Sequence, residues 1–170
     1  MDLKKHIREI PDFPKPGINF YDITTLLKNP QALRTSLDRF DALFHDLAID
    51  KVLGIESRGF LFGMHLAYQR GAGFVPVRKP GKLPADTHAA AYALEYGTDR
   101  LEMHRDAVAP GERVLVIDDV VATGGTAAAA CELVASSGGE VAGIGFLLEL
   151  SFLEGRKKLG GYDVRSLITY

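Results

Sequence analysis

An α/β fold with a central, mainly parallel sheet flanked by helices is predicted by three features of the sequence. Short apolar runs recur at 52–55, 114–117 and 140–150 without the strict alternation of a strand wetted on one face. Segments with helical spacing of apolar residues separate them. Polar or glycine-rich turns follow the apolar runs, and in sheets of this class ligands bind beyond the C-terminal ends of the strands.

The elements follow in order. A short polar segment opens the chain, and its first residues, MDLKKHIREIPDF, lack the apolar core of a signal peptide. Residues 10–24 carry Pro11, Pro14 and Pro16, which forbid regular helix and predict a stiff ordered loop. A helix is expected from Asn29, with Asn29 as N-cap, Pro30 at the first helical position, and Leu33, Leu37, Phe40, Phe44 and Leu47 on one face. The strand at 52–55 runs into the polar turn Glu56-Ser57-Arg58-Gly59, and the helix behind it stops near Gly71. A second strand in FVPVRKPGKLP leads into a basic, Pro/Gly-rich loop. Residues 90–104 read as a hairpin turning near Gly97, Thr98 and Asp99. Pro110-Gly111 makes a turn before the strand at 114–117. Asp118 and Asp119 emerge from that strand, 122–126 forms a loop, and TAAAACELVASSGG is a helix closed by two glycines. The run 140–150 is a further apolar strand, and YDVRSLITY offers a last one.

The chain has 170 residues, which suits one compact domain. Hydrophobic residues make up 46% and charged residues 25%, as in an ordinary globular protein, and there are no repeats or low-complexity tracts. A formal charge of −2 gives no overall cation field for nucleic acid. No run is long and apolar enough to span a bilayer, so no membrane association is expected. The single cysteine, Cys131, has no intramolecular disulfide partner and no metal-knuckle partner, and none of the five histidines shows metal spacing. A cytoplasmic, reducing location is expected.

The stretch VLVIDDVVATGGT, residues 114–126, carries the chemistry. Two carboxylates at the end of a buried strand are costly unless they hold something. Behind them Ala122, Thr123, Gly124, Gly125 and Thr126 form a loop small enough for its backbone N–H groups to surround an anion at a helix N-terminus. Acids beside an anion nest suit a ligand that offers hydroxyls next to its phosphate, as a ribose phosphate does, and they also suit a divalent cation. The P-loop pattern fails because no lysine precedes the threonine, and the dinucleotide fingerprint fails because the glycine spacing is wrong.

This stretch resembles the phosphoribosyl-pyrophosphate signature of the type I phosphoribosyltransferases. The segments IPDFPKPGINFYDIT, GIESRGF, VRKPGKLP and YALEYGTDRLEMH extend the resemblance over nearly the whole chain, to the adenine-specific members of that family. The resemblance implies the type I phosphoribosyltransferase fold in one domain, with a small N-terminal base-binding hood at 1–28 and a flexible hairpin lid at 79–104. It implies conversion of adenine and 5-phosphoribosyl 1-pyrophosphate to AMP and pyrophosphate in purine salvage, with Mg2+ carried mainly by the substrate, in a homodimer.

Site residues follow from the same resemblance. Asp118 and Asp119 would fix the ribose hydroxyls, and Ala122 to Thr126 the 5′-phosphate. Glu56, Ser57, Arg58 and Gly59 would meet the pyrophosphate, on a loop that in related enzymes often holds a non-proline cis peptide. Arg78, Lys79 and Lys82 would close over that group from a flexible loop. Glu95 and Tyr96 match the catalytic loop, with Glu95 exchanging a proton with the base, Tyr96 supporting the closed lid or the leaving pyrophosphate, and Arg58 neutralising charge. Phe20 would stack on adenine, while backbone at Asn19 and Tyr21 reads the base edge. Many relatives carry an aliphatic residue and an arginine at these last two positions, so base selection is the departure to watch. Ala85-Asp86 and His88-Ala89-Ala90-Ala91 also depart from the usual lid residues, and His104 is expected to be packed or partner-facing. Two other readings remain open: a transferase for another purine, and a non-catalytic sensor of phosphoribosyl pyrophosphate.

Overall fold

The structure, a computed structural model, describes residues 1–94 and 97–170. The chain divides into two compact units, Met1–Arg39 and Phe40–Tyr170.

In the first unit a 3-10 turn at Leu3–His6 leads into β1 (Arg8–Ile10), which pairs antiparallel with β2 (Phe20–Asp22). The Arg8 guanidinium donates to Asp22 across the pair at 2.5 and 3.0 Å. No hairpin was expected here, because three-residue strands are too short to display a period of two. The proline-rich loop joins them, turning through Asp12 at φ 56° with the Phe13–Pro14 bond cis. A single helical turn, α1 (Thr24–Leu27), precedes α2 (Pro30–Leu43), whose residues from Phe40 on are counted with the second unit. Asn29 caps α2 as expected, its side-chain oxygen accepting from the N–H groups of Gln31 and Ala32 at 3.1 and 3.0 Å. The buried row differs from the expected one. Ala32, Ser36, Phe40 and Phe44 are buried, whereas Leu33 and Leu37 are half-buried. Leu47 lies outside the helix, which ends in i→i+3 turns from Phe44 N–H to Asp41 and from Leu47 N–H to Phe44.

The second unit holds a five-stranded parallel sheet. Its elements run β3 (Lys51–Ile55), α3 (Gly59–Arg70), β4 (Gly73–Val77), β5 (Thr87–Ala93), β6 (Thr98–His104), β7 (Arg113–Val121), α4 (Gly125–Ser136), β8 (Glu140–Glu149) and β9 (Val164–Thr169). The order in the sheet is β4-β3-β7-β8-β9. From β3 the chain moves outward to β4, and from β7 outward in the other direction through β8 to β9. The direction of winding therefore reverses between β3 and β7, which is where sheets of this kind open a ligand crevice.

The predicted parallel α/β architecture is the one observed, because strands covered on both faces must be apolar throughout. Leu53, Ile55, Val75, Val77, Val114, Val116 and Ile144 are all buried. Each such side chain contributes about 1.5–3 kcal/mol on leaving water. On α4 the small residues Ala127, Ala129 and Ala130 lie buried with Leu133 and Val134. Cys131 is buried among them and its thiol is pushed up to about 12 by burial, so it behaves as a packed apolar group. Gly71, in the left-handed region at φ 61°, ends α3 where the sequence placed the stop.

Two expectations need correction. The strand expected at 114–117 continues as β7 to Val121, so Asp118 and Asp119 lie inside the sheet rather than beyond it. Strand β8 is long enough to keep pairing, with Asp118 opposite Phe146 and Val120 opposite Leu148. The hairpin is β5–β6, antiparallel from Thr87 opposite His104 to Ala93 opposite Thr98. Thr98 and Asp99 thus belong to a strand rather than to the turn. The 3-10 turns at Ser151–Leu153 and Gly155–Leu159 were not foreseen.

Candidate active site

At the C-terminal end of β7, next to the reversal, the buried acids meet the small-residue loop. Asp119 is 4% exposed and Asp118 half-buried. Burial raises the carboxyl pKa of Asp118 well above its ordinary value, and the neighbouring Asp119 charge adds to this. Burial raises Asp119 too, against the opposing Arg58 charge. Arg58 Nε lies 2.6 Å from Asp119 Oδ2, and Asp118 Oδ1 accepts from the Asp119 N–H at 2.8 Å.

The loop behind them is tight for a stated reason. Gly124 is in the left-handed region at φ 80° and immediately precedes α4. A Cβ there would overlap the Gly155 carbonyl oxygen. A cavity of about 80 Å³ opens over this loop, lined by Asp118, Ala122, Thr123, Gly124 and Thr126 among others. It has room for a group the size of one phosphate. The first-turn N–H groups of α4 have no intrahelical acceptor and point at it with the positive end of the helix.

Across the reversal, β3 ends in Glu56-Ser57-Arg58, with the Glu56–Ser57 peptide cis. Gly59 starts α3, and a Cβ on it would lie 2.7 Å from the Ile117 carbonyl oxygen. The N-terminus of α3 therefore touches the β7 backbone, which brings Arg58 to Asp119. Glu56 is surrounded by donors. Its carboxylate accepts from Arg78 at 3.2 Å, from Lys82 at 2.7 Å and from the Lys79 N–H at 2.8 Å. Burial would raise its pKa, but Lys82, the Lys79 N–H and Arg78 together hold it at about 2. Glu56 is thus a counter-charge to two of the cations expected to meet pyrophosphate, Arg78 and Lys82, an arrangement that spacing alone did not reveal.

Arg78 is not on the basic loop as expected. Its backbone exchanges both hydrogen bonds with Glu102 of β6, at 3.0 and 2.8 Å, so the chain is still paired there. Lys79 turns toward the hairpin and bonds the Tyr92 hydroxyl and Asp99. Desolvation would lower the Lys79 pKa, but Asp99 and Tyr92 hold it above the ordinary value. Tyr92 in turn donates to Asp99 at 3.0 Å. The cavity between these groups, about 410 Å³, is lined by Glu56, Ser57, Arg58, Lys79, Tyr92, Leu101, Asp118, Asp119, Ala122 and Thr126 among others. Tyr92 is a polar lining residue that the sequence did not single out, and Leu101 and Val120 are apolar ones. The only signal for Tyr92 was its place on the strand facing the basic loop, and that register was not predicted. Glu95 and Tyr96 lie outside the described residues. His104 Nε2 accepts from the Ala85 N–H at 3.3 Å, a packing contact at the base of the hairpin.

In the first unit, Phe20 and Tyr21 lie on β2 and Asn19 immediately before it, all half-buried. The Asn19 amide donates to Glu9 at 2.9 Å. The exposed Phe13 ring meets Phe20 edge-on at 5.3 Å, adding a second aromatic that the sequence reading did not single out.

Comparison with known proteins gives consistent matches. The family model of the phosphoribosyl transferase domain matches residues 23–167. The adenine phosphoribosyltransferase of Solibacter usitatus is 59% identical over 169 residues, covering 99% of this chain and 98% of that one. That of Acaryochloris marina is 61% identical over 170 residues, all of both chains. Among solved structures, the adenine phosphoribosyltransferase of Thermoanaerobacter pseudethanolicus is similar at 56% identity, with a TM-score of 0.97 over 99% of this chain and 98% of that one. The Saccharomyces cerevisiae enzyme, complexed with an imino-altritol bisphosphate and adenine, is 42% identical with a TM-score of 0.91, covering 97% and 96%.

Proposed function

The chain belongs to the phosphoribosyltransferase family, and on that premise we propose that it transfers the phosphoribosyl group of 5-phosphoribosyl 1-pyrophosphate to adenine. The products are AMP and pyrophosphate, and the activity is one of purine salvage. The observation that carries this reading is the junction of a buried acid pair with a one-phosphate cradle at the point where the sheet reverses.

In the reaction a ring nitrogen of adenine bonds to C1 of the ribose as the C1–O bond to pyrophosphate breaks, and the base gives up a proton. The cradle at 122–126 holds the 5′-phosphate, and Asp118 and Asp119 accept from the ribose hydroxyls. Arg78 and Lys82, held by Glu56, Arg58, held by Asp119, and Lys79, held by Asp99, stabilise charge on the leaving group together with the Ser57 and Gly59 backbone. The roles of Glu95 in proton exchange and of Tyr96 in the lid rest on resemblance to the family. So do base stacking on Phe20 and edge recognition at Asn19 and Tyr21; the Phe13 ring beside Phe20 adds aromatic surface where the base would stack.

Magnesium belongs to the family's chemistry. Among the described residues no three His, Cys, Asp or Glu side chains cluster as a metal cage. The oxygens of Asp118 and Asp119 beside the phosphate cradle fit a hard ion that arrives on a phosphate-rich substrate. Such an ion would neutralise the pyrophosphate.

A homodimer is supported by α3, where Leu61, Met64 and Tyr68 are 49, 57 and 81% exposed. Their spacing puts them on one helix face, and a second copy of the chain is the partner we infer for it. A cytoplasmic location agrees with the lone reduced cysteine. Among the described residues no helix is long and apolar enough to cross a membrane.

The test is purified protein with phosphoribosyl pyrophosphate, magnesium and each of adenine, hypoxanthine, guanine and xanthine. AMP from adenine is expected. Product only from an oxopurine would sink the base assignment, and no product from any base would favour the non-catalytic sensor.

A further inference from the structure

The phosphate cradle is backed by a segment that holds none of the residues given a role in the reaction. Glu149, only 7% exposed, ends β8, and a buried carboxylate needs partners. Arg156 supplies a fork, Nε to Oε1 at 2.6 Å and Nη2 to Oε2 at 2.7 Å, and Ser166 Oγ donates to Oε2 at 2.8 Å. The Arg156 hydrogen bonds hold the Glu149 carboxyl below its ordinary range, against burial. Arg156 Nη1 also donates to the Val164 carbonyl at 2.6 Å, so one guanidinium ties the strap 151–159 to both β8 and β9. The Leu150 N–H donates to Val121 at 3.0 Å, and the buried Leu159 anchors the far end.

Gly155 is the point where this strap meets the cradle. A Cβ on Gly155 would overlap the Ala122 carbonyl oxygen and lie 3.0 Å from the Gly124 nitrogen. A Cβ on Gly124 would in turn overlap the Gly155 carbonyl oxygen. The two backbones are in direct contact, with no side chain between them. A loop made of alanine, threonine and glycine has little side-chain packing to fix its own N–H groups. Its depth is therefore set by whatever wall stands behind it.

We propose that Gly155, Arg156 and Glu149 are positioning residues for the 5′-phosphate: the ion pair pins the strap, and the strap holds the cradle backbone at its working depth. This rests on reading the cradle as a phosphate site. None of the three needs to touch substrate.

The test compares the dissociation constants of AMP and adenosine, which differ by the phosphate alone, in the wild type, Gly155→Ala and Arg156→Lys. The adenosine/AMP ratio should fall by about tenfold or more in Gly155→Ala and by roughly threefold in Arg156→Lys, which keeps the charge and loses the fork, while adenosine binding is unchanged. If a folded variant keeps the wild-type ratio, or both constants move in parallel, the positioning role is overturned. Should Gly155→Ala fail to fold, Arg156→Lys alone decides. A wild type that favours AMP over adenosine but turns over no base would sink the transferase reading and leave the brace standing. A wild type that does not favour AMP would remove the phosphate from the cradle and the brace with it.

Discussion

Replacing Asp118 by asparagine should make the protein more stable and less active. The folded chain holds two adjacent carboxylates at a dry strand end, and the cation beside them, Arg58, is 2.6 Å from Asp119. Burial and the Asp119 charge both raise the Asp118 pKa. For an acid, a raised folded-state pKa means that ionisation opposes folding. Stability therefore falls as pH rises from the unfolded value of 3.8 through the higher folded one. Asparagine keeps the oxygen that accepts from the Asp119 N–H at 2.8 Å and removes the charge. Freed of a desolvated and repelled charge, the variant should gain on the order of 1–3 kcal/mol, after allowing for the solvent that still reaches the half-buried side chain. In a chain of 170 residues that raises Tm by roughly 2–10 °C. Activity should move the other way, because a charge-assisted hydrogen bond to a ribose hydroxyl weakens, and kcat/KM for phosphoribosyl pyrophosphate falls by about 10–100-fold. Adding Asp119→Asn should collapse turnover while the fold persists. The assay is thermal melting of ligand-free protein between about pH 5 and 8, with steady-state kinetics on the same preparations. A variant that melts at or below the wild type across that range, or that turns over normally, would refute the reasoning.

Glu56→Gln should destabilise at neutral pH by about 1–2 kcal/mol, since the carboxylate held at about 2 loses its charge toward Lys82 and Arg78. That contribution is complete above 4.5 and is lost as pH falls through about 2, so the difference in melting temperature from wild type should be smaller at pH 3 than at pH 7; a constant gap would show that charge is not its source. Gly124→Ala combines a left-handed backbone with a Cβ that overlaps Gly155, and a displacement of about 1 Å should cost roughly 100-fold in kcat/KM for phosphoribosyl pyrophosphate. Kinetics within a few-fold of wild type would mean that the cradle tolerates movement. Met64→Glu places a charge in the exposed face of α3, and light scattering should find the wild type dimeric and the variant monomeric. A wild type that is monomeric at assay concentration removes that interface.

What was legible in the sequence was local. The apolar strands, the Asn29 cap, the Gly71 stop and the segment from Asp118 to Thr126 are each specified by residues adjacent in the chain, so their pattern survives without coordinates. What was not legible depends on register and on distant backbone. The strand carrying Asp118 and Asp119 was ended too early, because polarity suggested a boundary where pairing with β8 continues. Arg78 was assigned to a loop because its bridge to Glu102 joins residues 24 apart in the chain. Tyr92 joins the site through the facing of β5, and Gly155 through contact with a loop some thirty residues earlier, and neither leaves a local pattern. The three-residue strands β1 and β2 fall below the length at which alternation can be read.

Gly59, Gly124 and Gly155 share a property that bears on how this chain can diverge. A carboxylate or a guanidinium has a near neighbour in chemistry, so those positions can drift by small steps. At these glycines every possible replacement adds a Cβ, and at each of them that atom runs into backbone rather than into a side chain able to swing away. There is no mild substitution to try first. A library selected for activity should therefore show its emptiest positions at these three glycines, one of which, Gly155, has no contact with substrate to explain it. Exposed side chains away from the site, such as that of Lys157, should accept variation far more readily.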